Sequence, residues 1–75
     1  MASSSDIDDV SVGGDGIRLG QFLQVAGLVD SGGEAKEAIR EGEVLVNGEV
    51  DLRRGRQLKA GDVVSLAGRR ARVAQ

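Results

Sequence analysis

Val44-Leu45-Val46-Asn47-Gly48-Glu49-Val50 is the strongest local signal in a chain of 75 residues. An apolar run, an Asn-Gly pair and a second short run predict a β-hairpin. Asn and Gly supply the two positive-φ positions of a type I′ turn, whose twist matches that of the flanking strands. Pairing across the turn sets Leu45 opposite Val50 with Leu52 on the same face, and that face is expected to contribute to the core. Downstream, Leu58, a turn at Lys59-Ala60-Gly61-Asp62 and Val63-Val64-Ser65-Leu66 predict a further strand. Gly68 then turns the chain into a last strand, where Arg70 and Arg72 share one face and Ala71 and Val73 the other.

Two short helices lie upstream. Leu19, Phe22, Leu23 and Ala26 recur at i, i+3, i+4 and i+7, one apolar face of an amphipathic helix, and Gly27 is a natural stop. Leu28 and Val29 continue as a buried linker. Ser31-Gly32-Gly33-Glu34 opens the second helix as a capping box: the Ser31 side chain caps the Glu34 N–H while the Glu34 carboxylate reaches back. Ala35, Ala38 and Ile39 form its buried stripe, and Gly42 ends it. At about 100° per residue, Lys36 and Arg40 fall on one flank of that stripe and Glu34, Glu37 and Glu41 on the other. The expected result is a positive edge left unneutralised by its own helix. The fold class is therefore α+β, two short helices packed on a small antiparallel sheet.

Composition narrows the chemistry. The absence of Cys and His excludes a disulfide scaffold, a thiol nucleophile, a zinc finger and a Ser-His-Asp triad. Lone carboxylates such as Glu43 or Asp62 are poor candidates for acid–base work in so small a domain, and Asp62 is better read as a turn residue. The expectation is a non-enzyme without cofactor or metal. Gly13-Gly14-Asp15-Gly16 reads as a flexible link, since no strand precedes it and no Gly-Lys-Ser/Thr follows as in a phosphate loop. No apolar run approaches the roughly 18 residues of a membrane span, and the first six residues lack a signal pattern. A cytoplasmic protein with no membrane partner is expected.

The net charge of −2 argues at first sight against a nucleic-acid partner, but it conceals segregation. Residues 1–15 hold Asp6, Asp8, Asp9 and Asp15 and no base; they are expected to be a disordered acidic tail preceding a domain over 16–75. The tail either solubilises the chain or folds back over the arginines. Residues 52–75 carry seven Lys or Arg against Asp62 alone. Among them, Arg53-Arg54-Gly55-Arg56-Gln57 places three guanidiniums within four residues with nothing negative between them, an arrangement suited to gripping phosphate, the alternative being a solvated basic loop partnered by the acids of residues 30–51. Phe22, the single aromatic residue, is read as core, so splayed bases have no stacking platform. An anionic, phosphate-bearing partner is the expected target.

These residues also carry a family resemblance. Ile17-Arg18-Leu19, the capped helix from Ser31, the run Ile39-Arg40-Glu41-Gly42-Glu43-Val44-Leu45-Val46-Asn47-Gly48 and Leu58-Lys59-Ala60-Gly61-Asp62-Val63-Val64 resemble the S4-type RNA-binding domain over roughly residues 17–67. Ser31-Gly32-Gly33 and Arg53-Arg54-Gly55-Arg56 are similar to its small free-standing bacterial members. The resemblance implies an S4-like fold with the αL RNA-binding motif. Its implied partner is structured RNA, ribosomal or tRNA-like, with ribosomal particles as a further candidate. The implied contacts are Arg18, Lys36, Arg40, Arg53, Arg54, Arg56 and Lys59, with Asn47 and Gly48 at the family's turn. Gly32 stands where larger members often have Arg, so their RNA targets do not transfer. A ubiquitin-like or protein-interaction module without RNA binding remains the alternative, although a sulfur carrier needs a Gly-Gly terminus and this chain ends Val73-Ala74-Gln75.

Overall fold

The Asn-Gly turn forms as its residue types require. In a computed structural model, which describes residues 7–75, Asn47 and Gly48 have φ of 53° and 87°. Both lie in the left-handed region that type I′ geometry demands. The turn joins β3 (Val44–Val46) to β4 (Glu49–Val50), with Leu45 opposite Val50 as the pattern predicts. The Asn47 amide does more than turn the chain. Its Nδ2 donates to Asp62 Oδ1 at 3.1 Å and its Oδ1 accepts from Val63 N at 3.0 Å. The hairpin is thereby pinned to the turn before the next strand.

The buried face of the hairpin is the opposite of the one expected. Val44 and Val46 enter the core, whereas Val50 and Leu52 are exposed. The reason lies in the partner strand. In β6 (Val63–Leu66), Ser65 interrupts the apolar run, which sends Val64 and Leu66 inward, and these pair with Val46 and Val44. Three consecutive apolar residues in β3 carry no alternation of their own, so the neighbour decides the face. Strand β7 (Arg69–Ala74) pairs antiparallel to β6, buries Ala71 and Val73 and exposes Arg70 and Arg72 as predicted.

The N-terminal segment corrects a second expectation. Residues 7–11, assigned to a disordered tail, form β1 (Ile7–Ser11), which pairs in parallel with β7. The sheet order is β1-β7-β6-β3-β4, so the sheet is mixed rather than antiparallel throughout. Asp9 accepts from Arg72 Nε at 2.7 Å, and Val10 and Val12 pack against the core. The first six residues of the expected tail lie outside the described residues. Strands β2 (Ile17–Arg18) and β5 (Gln57–Leu58) make a separate antiparallel pair.

Helices α1 (Leu19–Val25) and α2 (Gly32–Arg40) cover one face of the sheet. Leu19, Phe22 and Leu23 from α1 and Ala35, Ala38 and Ile39 from α2 are buried, with Val44, Val46, Leu58, Val64, Ala71 and Val73 beneath them. Ser31 Oγ accepts from Glu34 N at 3.1 Å, as the capping pattern predicts. The Glu34 carboxylate, however, reaches past Ser31 and accepts from Asp30 N at 2.7 Å. Among the described residues no helix is long and apolar enough to cross a membrane.

Candidate nucleic-acid interface

A helix begins with N–H groups that have no partner within the helix. In α1 the first two are taken up by the arginine loop: Leu19 N donates to Arg56 O at 2.8 Å and Gly20 N to Arg54 O at 3.0 Å. Arg18 Nη1 donates to Gly55 O at 3.1 Å from the same side. The loop is thus docked on the start of α1 through its backbone, which leaves its side chains to other uses. Gly20 is part of the fit. A Cβ built there would lie 2.7 Å from Arg54 Cγ, so only glycine lets the Arg54 side chain cross the helix.

The three loop arginines, expected to act together, divide into two kinds. Asp51 is only 5% exposed and accepts four hydrogen bonds. Three come from Arg53, through its backbone N at 2.9 Å, Nε at 3.1 Å and Nη2 at 2.9 Å. The fourth comes from Arg56 Nη1 at 2.6 Å. The Arg53 side-chain hydrogen bonds, opposed by burial and assisted by Arg56, hold the Asp51 carboxyl well below the usual carboxylate range. A negative group therefore does stand among the guanidiniums, contrary to expectation. It was missed because its effect depends on burial. The local signal was present: an Asp whose carboxylate accepts from the N–H two residues on makes an Asx turn.

Arg54 belongs to neither bond set. Among the described residues its guanidinium has no hydrogen-bonding or ionic partner. It forms a ridge between two concavities. One is lined by Arg18, Gln21, Gln24, Gly32 and Gly55. The other is lined by Lys36, Ile39, Arg40 and Leu52. Arg18, Lys36, Arg40 and Arg54 thus share one continuous surface along α2. Arg40 corrects the picture of an unneutralised edge, since its Nη2 donates to Glu37 Oε2 at 3.0 Å. Both side chains of that pair are mostly exposed, so the bond contributes at most about 1 kcal/mol and exchanges readily for another anion.

The remaining predicted residues lie elsewhere. Lys59 opens onto a different concavity, beside residues 12–16 and Gln57. Asn47 and Gly48 form the hairpin turn, and both polar atoms of the Asn47 side chain are committed to Asp62 and Val63. Burial pushes the Asp62 carboxyl up, but the Lys59 N–H, the Asn47 amide and the nearby Arg56 and Lys59 charges outweigh it and hold the group below its ordinary value. Among the described residues no group of three or more acidic side chains is placed to hold a metal ion. Gln21 and Gln24 join the surface without having been singled out in the sequence, and Leu52 joins it from the face expected in the core.

The fold that carries this surface is shared with known proteins. The S4 domain profile matches residues 10–74, almost the whole described chain. The chain belongs to the S4 domain family. The match begins at Val10, within β1, so that Val10 and Ser11 fall inside it and Asp8 and Asp9 just before it. Among relatives of this S4 domain, the probable ribosome maturation protein RlbA of Bacillus subtilis (strain 168) is 52% identical over 59 residues, covering 79% of this chain and 83% of RlbA. YbcJ of Escherichia coli (strain K12) is 40% identical over 57 residues, with 76% and 81% covered. The solution structure of YbcJ, in which an αL motif involved in RNA binding was described, superposes with a TM-score of 0.74 at 34% identity, over 100% of this chain and 96% of that one. The tyrosine–tRNA ligase of Bordetella pertussis (strain Tohama I) is 39% identical over 69 residues, but the shared part is only 17% of that enzyme.

Proposed function

We propose that this S4 domain is an RNA-binding module that grips structured RNA through the surface running from Arg18 across Arg54 to Lys36 and Arg40. The observation that carries the proposal is the unpartnered Arg54 guanidinium, held over Gly20 by a loop whose other arginines are tied to Asp51. Fixing Arg53 and Arg56 leaves Arg54 presented in one place, which lowers the ordering required when a phosphate binds. Arg53 and Arg56, sharing the single Asp51 charge, add positive potential beside it, Lys59 extends that potential to the neighbouring concavity, and Asn47 and Gly48 hold the turn. Phe22 is fully buried and is the sole aromatic residue, so recognition falls to charge and shape. The relation to RlbA makes ribosomal RNA, or a ribosomal particle, the first target to try.

Titration of a folded ribosomal RNA fragment and of an unstructured oligonucleotide at several salt concentrations tests this. Neutralising about 4–6 phosphates gives a log–log salt slope of roughly −3 to −5. Arg54→Gln should weaken binding to all RNAs and make the slope shallower by about one. Equal or tighter binding of the unstructured oligonucleotide would overturn the preference for folded RNA. Absence of salt-dependent binding to either would favour the protein-interaction alternative.

A further inference from the structure

Leu52 is 63% exposed, the most exposed large hydrophobic among the described residues. A single exposed leucine needs no explanation by itself. Leu52 differs because of what surrounds it. It forms one wall of a concavity whose floor is the buried Ile39 and whose remaining lining is Lys36, Arg40 and Arg54. Three cations and two aliphatic groups thus converge, and no carboxylate is among the lining residues. Cations alone suit any polyanion. An aliphatic wall set between cations suits a ligand with an apolar face a few ångströms from its charges. A nucleotide has this shape, with a base face flanked by phosphates.

The same fit excludes a continuous duplex as the best ligand. Inside a duplex both faces of every base are covered by stacking, and Leu52 would meet only backbone. A bulge or a junction exposes a base face of the kind RNA-binding proteins reach, and aliphatic wedges such as Leu pack against unstacked bases in kinked DNA. Resting on the RNA-binding proposal above, we infer that Leu52 is a specificity-determining residue. It packs against the exposed face of an unpaired nucleotide whose flanking phosphates lie on Arg54 and on Lys36 and Arg40, so the domain selects interruptions in an RNA helix over the helix itself.

The experiment compares a continuous RNA duplex with the same duplex carrying one central unpaired nucleotide, with identical ends. The wild-type chain, Leu52→Ser and Val25→Ser are each titrated at two salt concentrations. Val25 is 57% exposed but lines neither concavity, so its variant controls for loss of an exposed aliphatic group. The wild type and Val25→Ser should bind the interrupted duplex about three- to tenfold more tightly, the range expected for partial burial of one aliphatic side chain. Leu52→Ser should bind both RNAs alike, with the salt slope unchanged, because the phosphate contacts remain. Circular dichroism checks that the variant is folded. Equal binding of both RNAs by the wild type, or undiminished discrimination by Leu52→Ser, overturns the role of Leu52 while leaving RNA binding in place. Binding of neither RNA overturns both proposals. Capture of a folded protein partner through Leu52, with no RNA discrimination, counts against the nucleotide as occupant.

Discussion

Asp51 takes hydrogen bonds from Arg53 and Arg56 while almost wholly excluded from solvent, so its ionisation is coupled to folding. Its carboxyl is held well below the usual range, chiefly by Arg53 and against the effect of burial. A lowered native pKa contributes stability that is complete above the unfolded value of about 3.9 and is lost as pH falls through the native one. Asp51→Asn should therefore lower stability by about 1–3 kcal/mol at pH 7. The gap between variant and wild type in urea midpoints should narrow at pH 3, and an equal gap at both values would show that the charge is not what matters. The resemblance sets Asn47 at the family's turn beside the implied RNA contacts, and both of its side-chain polar atoms are used internally. Asn47→Ala should lower the melting temperature while leaving the salt slope of RNA binding by the folded protein intact. These two residues show what one-dimensional reading loses. Residue type and spacing identified Asn47 as special, but its partners lie 15 and 16 positions away. Asp51 was overlooked because nothing in its spacing reveals burial.

Helix α1 was legible because its apolar positions repeat every three to four residues, and α2 because Ser31 and Glu34 announce its start. The geometry between elements was not. Nothing in Leu19-Gly20-Gln21 says that a loop more than 30 residues later supplies the carbonyls for Leu19 N and Gly20 N. Gly20, near the helix start, is the position where Arg54 crosses the helix. Replacing an interior helical glycine by alanine ordinarily stabilises by about 1 kcal/mol. Here the added methyl would sit 2.7 Å from Arg54 Cγ. Gly20→Ala should consequently move the arginine and weaken RNA binding several-fold, while the two stability effects offset each other and the melting temperature changes little. Binding unchanged from wild type would mean that Arg54 reaches RNA equally well from a displaced position. A similar limit applies to β1. Its Asp-rich sequence lacks strand periodicity, and its partner β7 lies about 60 residues away, so a parallel pairing leaves no local trace.

Across the whole molecule, the net charge of −2 is a sum over unlike regions that are bridged at a few ion pairs, Asp51 among the loop arginines and Asp9 with Arg72. β1, with Asp8 and Asp9, stands at one edge of the five-stranded sheet, and β4, which leads into Leu52 and the arginine loop, stands at the other. Four strand spacings separate them by roughly 19 Å. The charge segregation seen along the sequence is therefore kept only in part, and the acidic strand follows neither alternative raised for the tail, solubilising extension or cover over the arginine loop. It covers β7 and engages Arg72 instead of the loop guanidiniums. Two perturbations separate its structural role from its electrostatic one. Deleting residues 1–12 removes β1 and uncovers apolar core at β7, so it should lower the melting temperature markedly. Asp8→Asn combined with Asp9→Asn should leave the fold nearly as stable, because the Asp9–Arg72 pair is well exposed and largely screened by solvent. Screening then decides the effect on RNA. At 0.15 M salt the Debye length is about 8 Å, less than half the separation, whereas at 0.01 M it is about 30 Å and spans the molecule. The double variant should bind RNA more tightly than wild type at the lower salt and equally at the higher. A gain that persists at 0.15 M salt would place the β1 carboxylates at the interface itself.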